Sequence, residues 1–157
     1  MARVLDRLYE TDYYAWTRKQ AAMLRGLAAR RADLGLDLDH LAEEVEDLGK
    51  AERRAVRSQM RRLLEHLLKL QHSTADAPRA GWRRSVVDAR IELADDLTPS
   101  LRREVEADLA TLYTAARDQA AEALAAHGED AQDLPEQCPW TLDDLLTRGW
   151  FPEPSSR

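Results

Sequence analysis

Between Asp37 and His72 the apolar residues Leu41, Val45, Leu48, Ala55, Val56, Met60, Leu63, Leu67 and Leu70 recur at steps of three and four. That spacing puts side chains on one face of an α-helix, and no alternating pattern of the kind a strand requires competes with it. At about 1.5 Å per residue the helix would run roughly 50 Å, far longer than a small domain needs unless other helices lie along it. The remainder of the chain is therefore read as its cover. Asp37 is placed to cap the start. Glu43, Glu44, Glu46 and Asp47 crowd the first turns and Lys50, Arg53, Arg54, Arg57, Arg61 and Arg62 follow, an order that complements the helix dipole. Gly49 inside this pattern costs about 1 kcal/mol relative to alanine, which points to a slight kink or to a closely approaching helix.

On either side the same logic yields shorter helices. Asp12 caps one in which Tyr13, Trp16, Gln20, Met23, Leu24 and Leu27 share a face, ending near residues 30–32 with Arg25, Arg30 and Arg31 suited to its negative end. Residues 73–80 read as a loop. Trp82, Val86, Ala89, Leu93 and Leu97 mark a third helix, closed by Thr98-Pro99. Leu101, Val105, Leu109, Leu112, Ala116 and Ala123 mark a fourth, stopped by Gly128. Residues 1–11 show no clear period and are read as an N-terminal arm. The segment 129–157 is proline-rich yet holds Trp140, Leu142, Leu145, Trp150 and Phe151, too many large apolar groups for a solvated tail. It is expected to dock, with a short helix over about 142–148 begun by a capping box between Thr141 and Asp144. The expected fold is thus all-α: one domain over 1–157, a bundle of four main helices around a long central one, with a short C-terminal helix.

Composition narrows the class. A chain of 157 residues with 33% charged side chains, one cysteine and no apolar run near membrane length suits the cytoplasm and a reducing compartment. Net charge −6 lowers the prospect of nucleic-acid binding, which positive charge dominates. No glycine-rich phosphate loop, serine elbow or Cys-x-x-Cys pair is present. Cys138 has no histidine near it in sequence, so a nucleophilic role is not expected.

Asp12-Tyr13-Tyr14-Ala15-Trp16, Leu41-Ala42-Glu43-Glu44-Val45-Glu46-Asp47-Leu48-Gly49, His66-Leu67-Leu68-Lys69, Gly81-Trp82 with Arg90, Thr98-Pro99-Ser100-Leu101, Tyr113 with Ala116-Arg117, and Leu134-Pro135-Glu136-Gln137-Cys138-Pro139-Trp140-Thr141 occur in this order. Together they resemble the bacterial domain-of-unknown-function family numbered twenty-nine. Gly81 stands where serine usually precedes the tryptophan, and Thr98 where serine is common. The resemblance implies an all-helical fold and frequent occurrence in cyanobacteria and proteobacteria. It brings no activity, cofactor or catalytic residue.

Three constellations carry the functional expectations. His40, Glu43, Glu44 and Asp47 lie near one side of a helix and are weak candidates for a metal, though dipole-complementing surface charge accounts for them more simply, and no metal or other cofactor is expected. Glu52, Gln59 and His66, seven apart, border the apolar stripe and need partners, for which Arg90, Asp108, Gln119 and Tyr113 are suitable. They form either an internal network or a small polar pocket. Glu52 and His66 are about 21 Å apart along the axis, so a pocket must centre on one rung. The family motifs favour His66, with Lys69, Trp82, Arg90 and Tyr113 around it. Finally, Lys50, Arg53, Arg54, Arg57 and Arg61 form a basic stripe that could meet an acidic partner or a second copy of this chain, with nucleic acid ranked last. With no assembled catalytic set, a non-enzymatic interaction or regulatory module leads. A ligand-binding or metal-dependent protein with a pocket near His66 is the alternative.

Overall fold

The computed structural model describes residues 2–30 and 33–155, and their regular structure is entirely helical. The elements are α1 (Ala2–Thr11), α2 (Tyr13–Ala29), α3 (Leu38–His72), α4 (Arg79–Asp96), α5 (Pro99–Ala107), α6 (Leu109–Ala126) and α7 (Leu142–Leu146). The long central helix is therefore present as one uninterrupted element of 35 residues. Arg31 and Ala32, where α2 was expected to finish, lie outside the described residues. No helix among the described residues is long and apolar enough to cross a membrane.

The described residues group into two compact units, one of those within 1–55 and 97–103, the other of those within 56–96 and 104–157. In the first, the segment read as an arm is helical. Asp12 interrupts α1 and α2 for one residue, and its Oδ1 accepts from the Ala15 N–H at 3.1 Å. The same carboxylate accepts from the Ser100 N–H at 2.8 Å and the Ser100 hydroxyl at 2.6 Å, so one buried aspartate caps the starts of α2 and α5. Burial pushes the Asp12 carboxyl up, but the hydrogen bonds from Ser100 and Ala15 outweigh it and hold its pKa below the ordinary aspartate value.

The buried face of α2 differs from the one its large side chains suggested. Tyr14, Thr17 and Ala21 are buried, whereas Met23 and Leu27 are exposed. On the first half of α3 the buried positions are Leu38, Ala42 and Gly49, and Leu41 and Leu48 stand 40% and 51% exposed. The reason is the closeness of the two helices. A Cβ at Gly49 would sit only 3.2 Å from the Thr17 Cβ and 3.4 Å from the Tyr14 ring, and would collide with the Thr17 hydroxyl. Gly49 is thus a contact glycine: opposite Thr17 only a residue without a Cβ lets the backbones approach so closely, and the larger Tyr14 and Leu38 are buried in the same unit.

In the second unit the stripe of α3 continues as Val56, Met60, Leu63, Leu64, Leu67 and Leu68, each at most 1% exposed. Val86, Ala89 and Leu93 of α4 and Leu112, Ala116, Ala120 and Leu124 of α6 supply further buried apolar side chains. The fourth predicted helix is two: Asp108 leaves helical geometry between α5 and α6 and forms an ion pair with Arg57. The C-terminal segment is held by main-chain acceptors. The Tyr113 hydroxyl donates to the Pro135 carbonyl at 2.7 Å, Arg117 to the Leu134 carbonyl at 3.2 Å, and Arg90 to the carbonyls of Leu145 and Trp150, both at 2.8 Å. α7 begins with the capping box between Thr141 and Asp144 that the sequence signals.

Candidate functional site

Lys69 sits on the last turn of α3, where a cation suits the helix dipole. Its stem is buried, its Nζ donates to Glu65 at 2.8 Å, and the same Nζ lies 5.3 Å from the centroid of the Trp82 ring. These two side chains, with Pro78, Leu124, His127 and Glu129, line a cleft of about 130 Å³ in the second unit. Glu129 accepts from the Ser73 hydroxyl at 2.6 Å and the Thr74 N–H at 2.7 Å, tying down the loop after α3, while the His127 ring donates to the Ala123 carbonyl. Lysine and glutamate are thus each engaged with neighbours, and the cleft offers chiefly an apolar wall.

Of the five residues expected around a pocket, Lys69 and Trp82 line this cleft. Arg90 and Tyr113 instead anchor the C-terminal segment, and burial pushes the Tyr113 phenol up to about 12. His66 is half-buried with no hydrogen bond to Nδ1. Desolvation first, then the charge of Lys69, lowers its pKa to about 4. The polar ladder finds other partners: Gln59 donates to Glu92, and Asp108 pairs with Arg57.

The His66 shift fixes a pH dependence. In the unfolded chain the imidazole takes up its proton near pH 6.5, in the native one only near 4, so this contribution to stability is complete above pH 6.5 and is lost as pH falls towards 4. A shift of this size in a sealed group would be worth about 3 kcal/mol, which solvent screening of a half-buried one reduces to about 1–2 kcal/mol. His66→Gln should flatten the stability profile between pH 7 and 4 by that amount in urea titrations. An unchanged slope would show that His66 titrates normally.

The basic stripe is partly committed. Lys50 pairs with Asp47 at 3.0 Å and Glu46 at 3.5 Å, Arg57 pairs with Asp108, and Arg54 and Arg61 are exposed. Arg53 is half-buried. Among the described residues no group of three or more His, Cys, Asp or Glu side chains is placed to hold a metal. His40 turns its Nδ1 to Asp37 at 2.6 Å, and this hydrogen bond raises its pKa. The thiol of Cys138 donates to the Trp140 carbonyl at 3.3 Å, and burial pushes its pKa up, away from a reactive thiolate.

The most distinctive surface lies in the first unit, where the apolar spacing of α3 predicts burial of Leu41 and Leu48. Among the described residues, eight of the ten exposed large apolar side chains belong to this unit. α2 and α3 run antiparallel, for Thr17 meets Gly49 while Arg25 reaches back to Glu46 at 2.6 Å. Counted at 3.6 residues per turn, Leu41 and Leu48 stand about 90° from the α3 contact line, and Met23 and Leu27 about 130° from that of α2, in the same rotational sense. In an antiparallel pair such offsets bring both rows to one side. Leu34 and Leu36, in the connection between the helices, are 55% and 59% exposed.

The model of the family described as "Domain of unknown function DUF29" matches residues 8–151. The chain belongs to the DUF29 family. A crystal structure of an alpha-helical protein of unknown function from Rhodospirillum rubrum ATCC 11170 is similar to it at 32% identity, with a TM-score of 0.80 over 90% of each chain. No curated protein matches. This chain and that neighbour share their helical architecture, and neither the family description nor the neighbour's brings an activity to this chain.

Proposed function

We propose that this DUF29 chain is a non-enzymatic protein-interaction module whose binding surface is the apolar side of the α2–α3 pair. One observation carries the proposal: Met23, Leu27, Leu34, Leu36, Leu41 and Leu48, at 38–59% exposure, accumulate in one unit instead of being scattered. Together they leave on the order of 500 Å² of apolar side chain open within that unit, and apolar surface gathered on that scale marks interaction sites. The engagement of Lys69 and Glu129 with their own neighbours, and the raised pKa of Cys138, lend no comparable support to catalysis.

Leu41→Glu/Leu48→Glu tests the proposal, because both positions are already half in water and the variant should fold, with an unchanged melting temperature at concentrations where only single chains are present. Cross-linking in the cells the protein comes from should trap complexes with the wild-type chain that disappear with this variant. If every complex persists, the surface is not the binding site.

A further inference from the structure

From this surface, and resting on the interaction reading above, we infer that the occupant is a second copy of this chain, seated face to face about a two-fold axis parallel to the helices. Charge supplies the argument. α2 contains Arg18, Lys19 and Arg25 and no acidic residue, whereas the first turns of α3 contain Asp39, Glu43, Glu44, Glu46 and Asp47 before the first lysine at 50. Arg25 and Glu46 neutralise each other within the chain. Placed on the same helical count, Lys19 falls on the outer edge of α2 and Glu44 on the outer edge of α3, so the apolar face has one basic and one acidic margin.

A two-fold axis parallel to the helices lays α2 of one copy over α3 of the other and keeps their levels along the axis. Lys19, at the level of Asp47 by the Thr17–Gly49 contact, then stands within a helical turn of the partner copy's acidic margin, and the contact is made twice. An axis perpendicular to the helices within the interface would stack α2 on α2 and α3 on α3, setting like charges against each other. Self-association in the first arrangement covers the leucines and matches both margins at once. With its polar rim, the apolar patch approaches the roughly 800 Å² per partner of a standard interface.

The test is the mass of the full chain by light scattering and sedimentation across the micromolar range. It should rise from the 17.9 kDa of one chain to twice that value. Leu48→Glu should weaken the dimer by at least about 30-fold, since it sets a charge on the apolar row that the partner copy covers. Lys19→Glu and Glu44→Lys should each weaken it by about 3- to 10-fold, and the combined swap should restore it. A single-chain mass at every concentration overturns the inference, as does a dimer indifferent to Leu48→Glu, and failure of the combined swap overturns the α2-over-α3 arrangement. If the chain stays single while Leu41→Glu/Leu48→Glu still loses its cross-linked complexes, self-association falls and the interaction reading stands. If those complexes persist, both fall.

Discussion

Leu67→Ala should destabilise the chain by about 3 kcal/mol, while the chemically identical change Leu48→Ala on the same helix should alter stability by less than about 0.5 kcal/mol. Leu67 is fully buried, so truncation removes its transfer free energy and leaves a cavity that the neighbouring Leu63, Leu64 and Leu68 fill only in part. Leu48 is 51% exposed, and its outer methyl groups already meet water. Urea midpoints of the two variants, read at protein concentrations where only single chains are present, measure the difference directly. Equal losses would mean that the first half of α3 buries the same row as the second.

A second large effect is expected at Arg90. The side chain is 8% exposed, donates to the carbonyls of Leu145 and Trp150, and lies 5.5 Å from the centroid of the Phe151 ring. Arg90→Met keeps much of the stem but leaves two carbonyls without donors, for a loss of about 2–4 kcal/mol. Arg90→Lys should rescue little, because an ammonium group cannot reproduce the planar fork that serves both acceptors. Hydrogen exchange should locate the effect: amides of residues 142–151 should exchange at least about tenfold faster, ahead of those on α3. A variant with unchanged exchange there would relieve Arg90 of its anchoring role.

The fold class was legible because α3 repeats its apolar spacing over ten turns, and because Asp12, Asp37, Thr141 and Gly128 carry strong local helix-end chemistry. What misled was residue size. In α2, Met23 and Leu27 outweigh Thr17 and Ala21 on any hydropathy count, yet the close approach at Gly49 sets the contact line along Tyr14, Thr17 and Ala21 and leaves Met23 and Leu27 outside it. Gly49 itself carried the missing signal. The partners of Arg90 and Tyr113 were illegible for another reason: backbone carbonyls accept their hydrogen bonds, and a carbonyl has no letter in the sequence. Lys69 and Trp82, grouped on the sequence, line one cleft, whereas the reach of Glu129 back to Ser73 and Thr74, over 50 positions away, has no local marker.

Because the Asp12 carboxylate serves Ala15 and Ser100 together, how far the chain tolerates trimming ahead of α2 is fixed by chemistry rather than by helix borders. Trimming the chain to begin at Tyr13 would leave every residue of α2 in place and still strip the start of α5 of its acceptor, 88 positions downstream. Shortened forms intended for crystallisation or for grafting the leucine face elsewhere should therefore carry that single acidic side chain along with both of the helices it begins.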